Sequence, residues 1–184
     1  MYTFDLVLPK DSKVAVWALQ KFLLEEAEKL LGKKELDKQI FQPTFGERGP
    51  FIRNRLQNDG AWAVLSHNAG GYWPAALYEL AHETIHLLNP VIGYTNYLEE
   101  GIAVAYSIDM SKRETTHPMS PNDKYYQRAY ELVQLLPDGI YESAKWIRNE
   151  LGSLGNVKVA DLKKLFPALE DEVIVELCSE CDFT

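Results

Sequence analysis

The sequence has little of what disulfide-bonded, membrane-spanning or exported proteins need. Its 184 residues include two cysteines, which are too few for a secreted fold held together by disulfide bonds. No apolar run approaches the ~18 residues of a membrane-spanning helix. The first residues also lack the basic stretch and the apolar run of a signal peptide. From these absences we expect a cytoplasmic protein that does not use a membrane.

Basic residues are also scarce, because 19 Lys and Arg stand against 27 Asp and Glu and leave a formal net charge of −8. Affinity for nucleic acid depends on basic side chains that neutralise phosphates, so we expect no nucleic-acid partner. Hydrophobic residues make up 46% of the chain, which is enough for a sizeable core and excludes disorder. No repeat, low-complexity tract or linker divides the sequence. We therefore expect one domain spanning residues 1–184.

The spacing of apolar residues predicts an α+β fold with a small N-terminal mixed sheet, a central helix and a helical C-terminal part. The first helix is expected to begin after a cap at Asp11 or Ser12 and to end at Gly32. Strands are expected at residues 3–8, 40–44 and 61–66. Later helices are expected at residues 74–89, 96–110, 120–136 and 140–151, followed by two short helices broken at Pro167.

The most informative motif is His-Glu-Thr-Ile-His at residues 82–86, inside the central helix. Two histidines four residues apart on a helix project from the same face and can share one metal ion. Glu83 would then act as the general base for a zinc-bound water and would pass its proton to a leaving amine. The alternative is an amphipathic helix whose histidines are solvated or hydrogen-bonded and hold no metal.

A catalytic zinc takes three protein ligands and keeps its fourth position for water, so the motif needs a third ligand. Glu100 is the acidic candidate, fourteen residues after His86 and at the start of the next helix. Asn96 and Glu99 approximate a capping box, in which Glu99 reaches back to the cap. That role would leave Glu100 free. We therefore predict one Zn²⁺ held by His82, His86 and Glu100.

Residues 82–86 together with Glu100-Gly101-Ile102-Ala103 resemble the gluzincin group of zinc metallopeptidases. In that group a Glu-Gly-Phe-Ala-like element supplies the third ligand, and Glu99 stands here where the group often has asparagine. The resemblance covers about 35 residues, and the Gly-Ala-Met-Glu-Asn element of the related aminopeptidases is absent. It implies a compact zincin-like fold and a zinc-dependent peptidase that hydrolyses bonds in a peptide or protein substrate.

The same resemblance implies two further parts of an active site. Zincin folds place an edge strand before the metal helix, where it binds extended substrate, and residues 61–66 are the candidate; an ordinary internal strand is the alternative. The segment beginning at Tyr126 resembles the one that supplies a tyrosine to steady the developing oxyanion. Packing of Tyr126 in the core beside Tyr130 and Val133 is the competing interpretation. Other candidates for the oxyanion donor are Tyr125, His117, Tyr106 and His67.

Three further expectations complete the interpretation. Cys178 and Cys181 have the spacing of half a zinc site, but without a second pair we expect two free thiols on a helix. Residues 70–73 are expected to shape a narrow cleft that restricts the substrate range. Two alternative functions stay open: a regulatory peptidase of the repressor-cleaving type, and a non-catalytic zinc-binding module that binds a peptide or partner.

Overall fold

A computed structural model describes residues 1–181 of the chain, and in this part the protein is α+β with seven α-helices and one four-stranded sheet. The strands are β1 (Gln39–Ile40), β2 (Thr44–Phe45), β3 (Phe51–Asn54) and β4 (Gly60–Leu65). The helices are α1 (Lys13–Leu31), α2 (Trp73–Leu88), α3 (Tyr97–Glu114), α4 (Lys124–Val133), α5 (Ile140–Leu151), α6 (Val159–Leu165) and α7 (Asp171–Leu177).

Strand β4 is the centre of the sheet. It pairs antiparallel with β3 on one side, from Phe51 opposite Val64 to Asn54 opposite Ala61, and parallel with β1 and then β2 on the other. Five of its six residues are buried, as expected for a strand covered on both faces. The prediction that residues 61–66 form an edge strand is therefore wrong. The edge position is taken by β3, because β4 already has a neighbour on each side.

Two other strand predictions also need correction. Residues 3–8 form no strand; Tyr2 and Phe4 instead pack on aromatic side chains of the helices, with the Phe4 ring stacked 5.6 Å from that of Trp73. The segment 40–44 is split into β1 and β2, with Pro43 between them. Proline has no N–H to donate, so it interrupts the ladder with β4.

The helices follow the predicted positions closely. Helix α1 begins after Ser12 and ends at Gly32, whose φ of 84° suits a residue without a side chain. The guanidinium of Arg148 on α5 donates hydrogen bonds to the carbonyls of Leu31, Gly32 and Lys33 at this end. It also donates to the side chain of Asn89, which follows α2. One buried cation therefore fastens the C-terminal ends of α1 and α2 together.

Helix α2 lies in the middle of the molecule, packed against β4, α1 and α3. All of its residues are buried except Tyr78 and Glu79, which are half-buried. Helix α3 in turn packs closely on α4, because a Cβ at Gly101 would lie 2.3 Å from the carbonyl oxygen of Ala129. The chain thus places the histidine motif inside the protein and brings α4 up to the start of α3. None of the helices described in residues 1–181 is both long and apolar enough to cross a lipid bilayer.

Candidate metal centre

The structure brings the three predicted ligands together at the junction of α2 and α3. The Nε2 atom of His82 lies 3.2 Å from Nε2 of His86 and 3.2 Å from Oε2 of Glu100. The second oxygen of Glu100 lies 3.6 Å from Nε2 of His86. Tetrahedral zinc with bonds of about 2.0–2.1 Å separates neighbouring ligand atoms by about 3.3 Å. The three residues could therefore hold a metal ion of this size.

Unsatisfied oxygen atoms around this cluster point to the same conclusion. In the described part of the chain, Oε2 of Glu100 and Oε2 of Glu83 are buried and have no hydrogen-bond partner. Buried polar atoms are rarely left in that state in folded proteins. The other oxygen of Glu100 accepts a hydrogen bond from the hydroxyl of Thr95. Oε2 of Glu100 is the oxygen that faces Nε2 of His82 at 3.2 Å, where a cation between the two would satisfy it.

Glu99 has a different role from the predicted one. The side chain of Asn96 accepts a hydrogen bond from the backbone N–H of Glu99 at 2.9 Å, so Asn96 does cap α3. The carboxylate of Glu99, however, does not reach back to the cap; its Oε1 lies 3.0 Å from Nδ1 of His86. An ionised carboxylate only accepts hydrogen bonds, so the contact with Glu99 favours a proton on Nδ1 of His86, and Nε2 is the ring nitrogen that faces Glu100. The Glu99 carboxylate therefore binds the buried imidazole of His86 and not the backbone of the helix cap.

The electrostatics of the cluster favour positive charge. Burial raises the pKa of the Glu83 carboxyl. Burial also acts to raise the pKa of Glu100, but the two histidines outweigh it and hold that pKa well below its usual range. For His86 burial is opposed by Glu100 and Glu99, which together raise the pKa of the imidazole well above its ordinary value. The two carboxylates thus stabilise the protonated, positively charged form of the His86 imidazole, and that charge offsets part of their own negative charge.

Tyr126 is brought to the cluster by α4. Its ring meets that of His82 edge-on, with centroids 5.2 Å apart, and it lines the cleft. The four alternatives do not line the cleft. The hydroxyl of Tyr106 donates to the carbonyl of Leu23, and His117 lies against Tyr72 in a separate hollow. Neither Tyr125 nor His67 borders the cleft either.

A cleft of about 270 Å³ opens onto the metal cluster. One wall is formed by the first residues of β3 and by Pro50, which precedes the strand. The other wall is the loop between α2 and α3. Residues 70–73, which we expected to shape this cleft, do not border it; they lie beside the N-terminal segment instead, because the turn they form faces the opposite end of α2. Besides the three residues of the metal cluster, the cleft is lined by Glu83 and by Pro50, Phe51, Ile52, Val91, Gly93, Tyr94, Thr95 and Tyr126.

Sequence reasoning did not find the residues of these walls. Phe51 and Ile52 looked like ordinary apolar residues, and no pattern relates a loop residue such as Thr95 to a ligand one turn into the next helix. The position of Glu99, directly before the predicted ligand Glu100, was a sign that its side chain could lie near the metal cluster. The capping-box motif, however, explained the same glutamate equally well as part of a helix cap.

Neither Cys178 nor Cys181 forms a disulfide bond in the described part of the chain. Cys178 is the half-buried C-cap that follows Leu177, the last residue of α7, and Cys181 is buried beyond it. The expectation that both thiols lie on a helix is therefore wrong. Burial raises the pKa of the Cys178 thiol to about 11. Neither cysteine belongs to the metal cluster.

Comparison of the chain with protein-family models, with characterised proteins and with solved structures finds no match.

Proposed function

We propose that the protein is a zinc-dependent metallopeptidase of the gluzincin type with a zincin-like fold. The observation that carries this proposal is a convergence at the floor of one open cleft. His82, His86 and Glu100 present ligand atoms at tetrahedral spacing, and the carboxylate of Glu83 is buried beside them with an unpartnered oxygen. A structural zinc site would need a fourth protein ligand and no additional buried carboxylate, whereas a catalytic site has three protein ligands and an acidic group beside them.

Glu83 is the proposed general base. Its free oxygen, Oε2, takes the proton of the attacking water and later gives it to the leaving amine. The chemistry that a zinc ion supplies in such a site is polarisation of the scissile carbonyl and acidification of water. Burial raises the pKa of the Glu83 carboxyl, which makes its carboxylate a stronger base than an exposed glutamate.

The substrate is proposed to be an extended peptide lying along β3. In the described residues β3 pairs only with β4, so the backbone groups of its other edge are open to a further strand. Adding a strand at an open edge supplies main-chain hydrogen bonds with little dependence on sequence. The strand borders the cleft through Phe51 and Ile52. A peptide bound there would present its side chains alternately to the cleft and away from it.

The first experiment measures the metal itself. The purified chain should contain one zinc per molecule by elemental analysis, and His86→Ala should remove it, because two remaining ligands do not hold zinc in competition with a chelator. Glu100→Ala should lower zinc affinity by a far larger factor than Thr95→Ala, which removes a support but no ligand. Wild-type protein that takes up no zinc would disprove the proposed function.

The second experiment tests Glu83. Glu83→Gln should keep full zinc content but lose nearly all hydrolysis of a peptide pool, since glutamine has the same shape but cannot accept the proton. Glu142→Gln, at an exposed position on α5, is the matched control and should cleave at the wild-type rate. Equal cleavage by Glu83→Gln and wild type would exclude Glu83 as the base. Zinc-loaded wild type that cleaves nothing in the pool would indicate the non-catalytic binding module.

A further inference from the structure

A turn from the C-terminal part of the chain lies against the side chain of Glu99. A Cβ atom at Gly155 would lie 2.1 Å from Oε2 of Glu99, which is closer than atoms can approach. The other oxygen of the same carboxylate faces Nδ1 of His86 at 3.0 Å. The carboxylate is therefore confined between the imidazole of a metal ligand and the backbone of this turn. Gly155 is needed here for its lack of a side chain.

The turn is itself fastened to the start of α3. The side-chain amide of Asn96 donates a hydrogen bond to the carbonyl of Leu154 at 2.9 Å, while its oxygen accepts from the N–H of Glu99. Leu154 is buried in the hydrophobic core, which fixes the position of the turn. One asparagine thus holds both the backbone of Glu99 and the chain that confines the Glu99 side chain.

The second oxygen of Glu99 shows that this arrangement is not simply a stable hydrogen-bond network. Among the described residues, Oε2 of Glu99 is buried and makes no hydrogen bond. Leaving a carboxylate oxygen unsatisfied in the interior destabilises the folded state, because the desolvation of that oxygen is not offset by a hydrogen bond. An asparagine or glutamine amide could accept from His86 with less charge to bury. The presence of a carboxylate at position 99 is explained if its negative charge acts on the imidazole of His86.

We propose that Glu99 is a positioning residue of the metal centre and that the turn at Gly155 holds it against His86. The inference rests on the proposed metal site and adds a part to it. By accepting from Nδ1, Glu99 fixes the orientation of the ring and the tautomer that leaves Nε2 free as a ligand. Its charge also makes the ring a stronger donor toward a cation. The C-terminal helical part therefore contributes to metal binding without supplying a ligand.

The test is the zinc dissociation constant, measured by competition with a chromophoric chelator. Glu99→Ala should weaken zinc binding about 10–100-fold, the range found when such supporting groups are removed. Glu99→Gln should lose less, because its amide oxygen still accepts from His86 while the charge is gone. The unfolding free energy of each metal-free variant, from urea titration, separates a loss of fold from a loss of affinity.

Gly155→Ala tests the turn. The added methyl group displaces the Glu99 carboxylate, so zinc should bind more weakly although every ligand is present. Gly71→Ala is the matched control, because a Cβ at Gly71 meets nothing within 4 Å, and it should bind zinc as wild type does. In a Glu99→Ala background the obstacle is absent, and Gly155→Ala should cause no further loss of affinity.

The outcomes are distinguishable from failure of the proposed function. If the wild-type chain binds no zinc, the metal site itself is wrong. If wild type binds zinc tightly and both Glu99→Ala and Glu99→Gln match it, the positioning role is overturned and the ligand assignment stands. If Gly155→Ala lowers affinity equally with and without Glu99, the turn does not act through Glu99. Should Gly155→Ala fail to fold, the two Glu99 variants still decide the main claim.

Discussion

The residues around the metal cluster work in pairs, in which one side chain supplies a function and a neighbour fixes its position. Glu99 lies against His86, and Thr95 donates to the Glu100 oxygen that does not face His82. Each support comes from a residue at or just before the start of α3. The ligands are consequently held by the same short stretch of chain that supplies one of them.

Tyr126 is the residue whose role most needs a direct measurement. Tyr126→Phe should lower turnover about a hundredfold and change substrate affinity little, because a hydroxyl that steadies the developing oxyanion acts on the transition state. The measurement is kcat and KM on a cleaved peptide, with zinc content checked in parallel. Tyr125→Phe is the control on the same helix, since Tyr125 does not border the cleft. Unchanged turnover in Tyr126→Phe would assign the donor to another group.

The ligands could be predicted from sequence because the helical repeat places residues 82 and 86 on one face whatever surrounds them. Glu100 could be predicted because a catalytic zinc needs a third protein ligand and because the cap residue Asn96 marks the start of the helix that carries Glu100. The use of Glu99 could not be predicted, because a side chain that can cap a helix or bind a buried imidazole chooses according to what the tertiary fold brings near. The confinement by Gly155 depends on chain that is remote in sequence and carries no motif.

At the level of elements, the helices were predictable and the sheet was not. The cap Asn96 and the stop signal Gly32 act locally, so the start of α3 and the end of α1 can be read from a few residues. The pairing of four short strands is decided by contacts that no local pattern records. Strand β4 was found because it is apolar, but its apolar character on both faces indicates a central strand rather than an edge.

Arg148 gives a prediction about how the elements are joined. Arg148→Met should lower the unfolding free energy by about 2–4 kcal/mol, because it leaves buried carbonyls at the end of α1 without donors. Urea titration of the metal-free chain measures the effect. Arg128→Met, which removes a surface ion pair with Glu176, should cost less than about 1 kcal/mol. Equal losses in the two variants would show that Arg148 does not fasten the helices.

At the scale of the whole molecule, a peptidase of the proposed kind would be restricted in its substrates by the small size of the cleft. Its volume of about 270 Å³ accommodates few side chains, and its walls outside the metal cluster are mostly apolar. Ile92 and Tyr94, which are 75% and 71% exposed, belong to the loop that forms one wall. Access for a substrate is therefore set by β3 and this loop, and only segments that fit between them reach Glu83.

We predict that the zinc-loaded chain cleaves unfolded casein weakly or not at all and cleaves only a few members of a diverse peptide pool efficiently. The physical reason is that generic unfolded segments seldom present an extended stretch with side chains that fit the cleft. Mass spectrometry of the digested pool, beside a casein time course, measures the range. Rapid digestion of casein would contradict the restraint and leave the metal assignment intact.

The Gly155 turn also has a consequence for the order in which the molecule assembles. His86 meets Glu99 across 13 residues, within two consecutive helices, whereas the bond from Asn96 to Leu154 spans 58. Closing a long loop costs more entropy than closing a short one, so the contact within the helix pair forms first. We therefore expect the residues of the metal cluster to come together before the C-terminal helices dock. If the cluster binds a metal as proposed, an ion captured at that stage should exchange more readily than one bound after the last helices have docked.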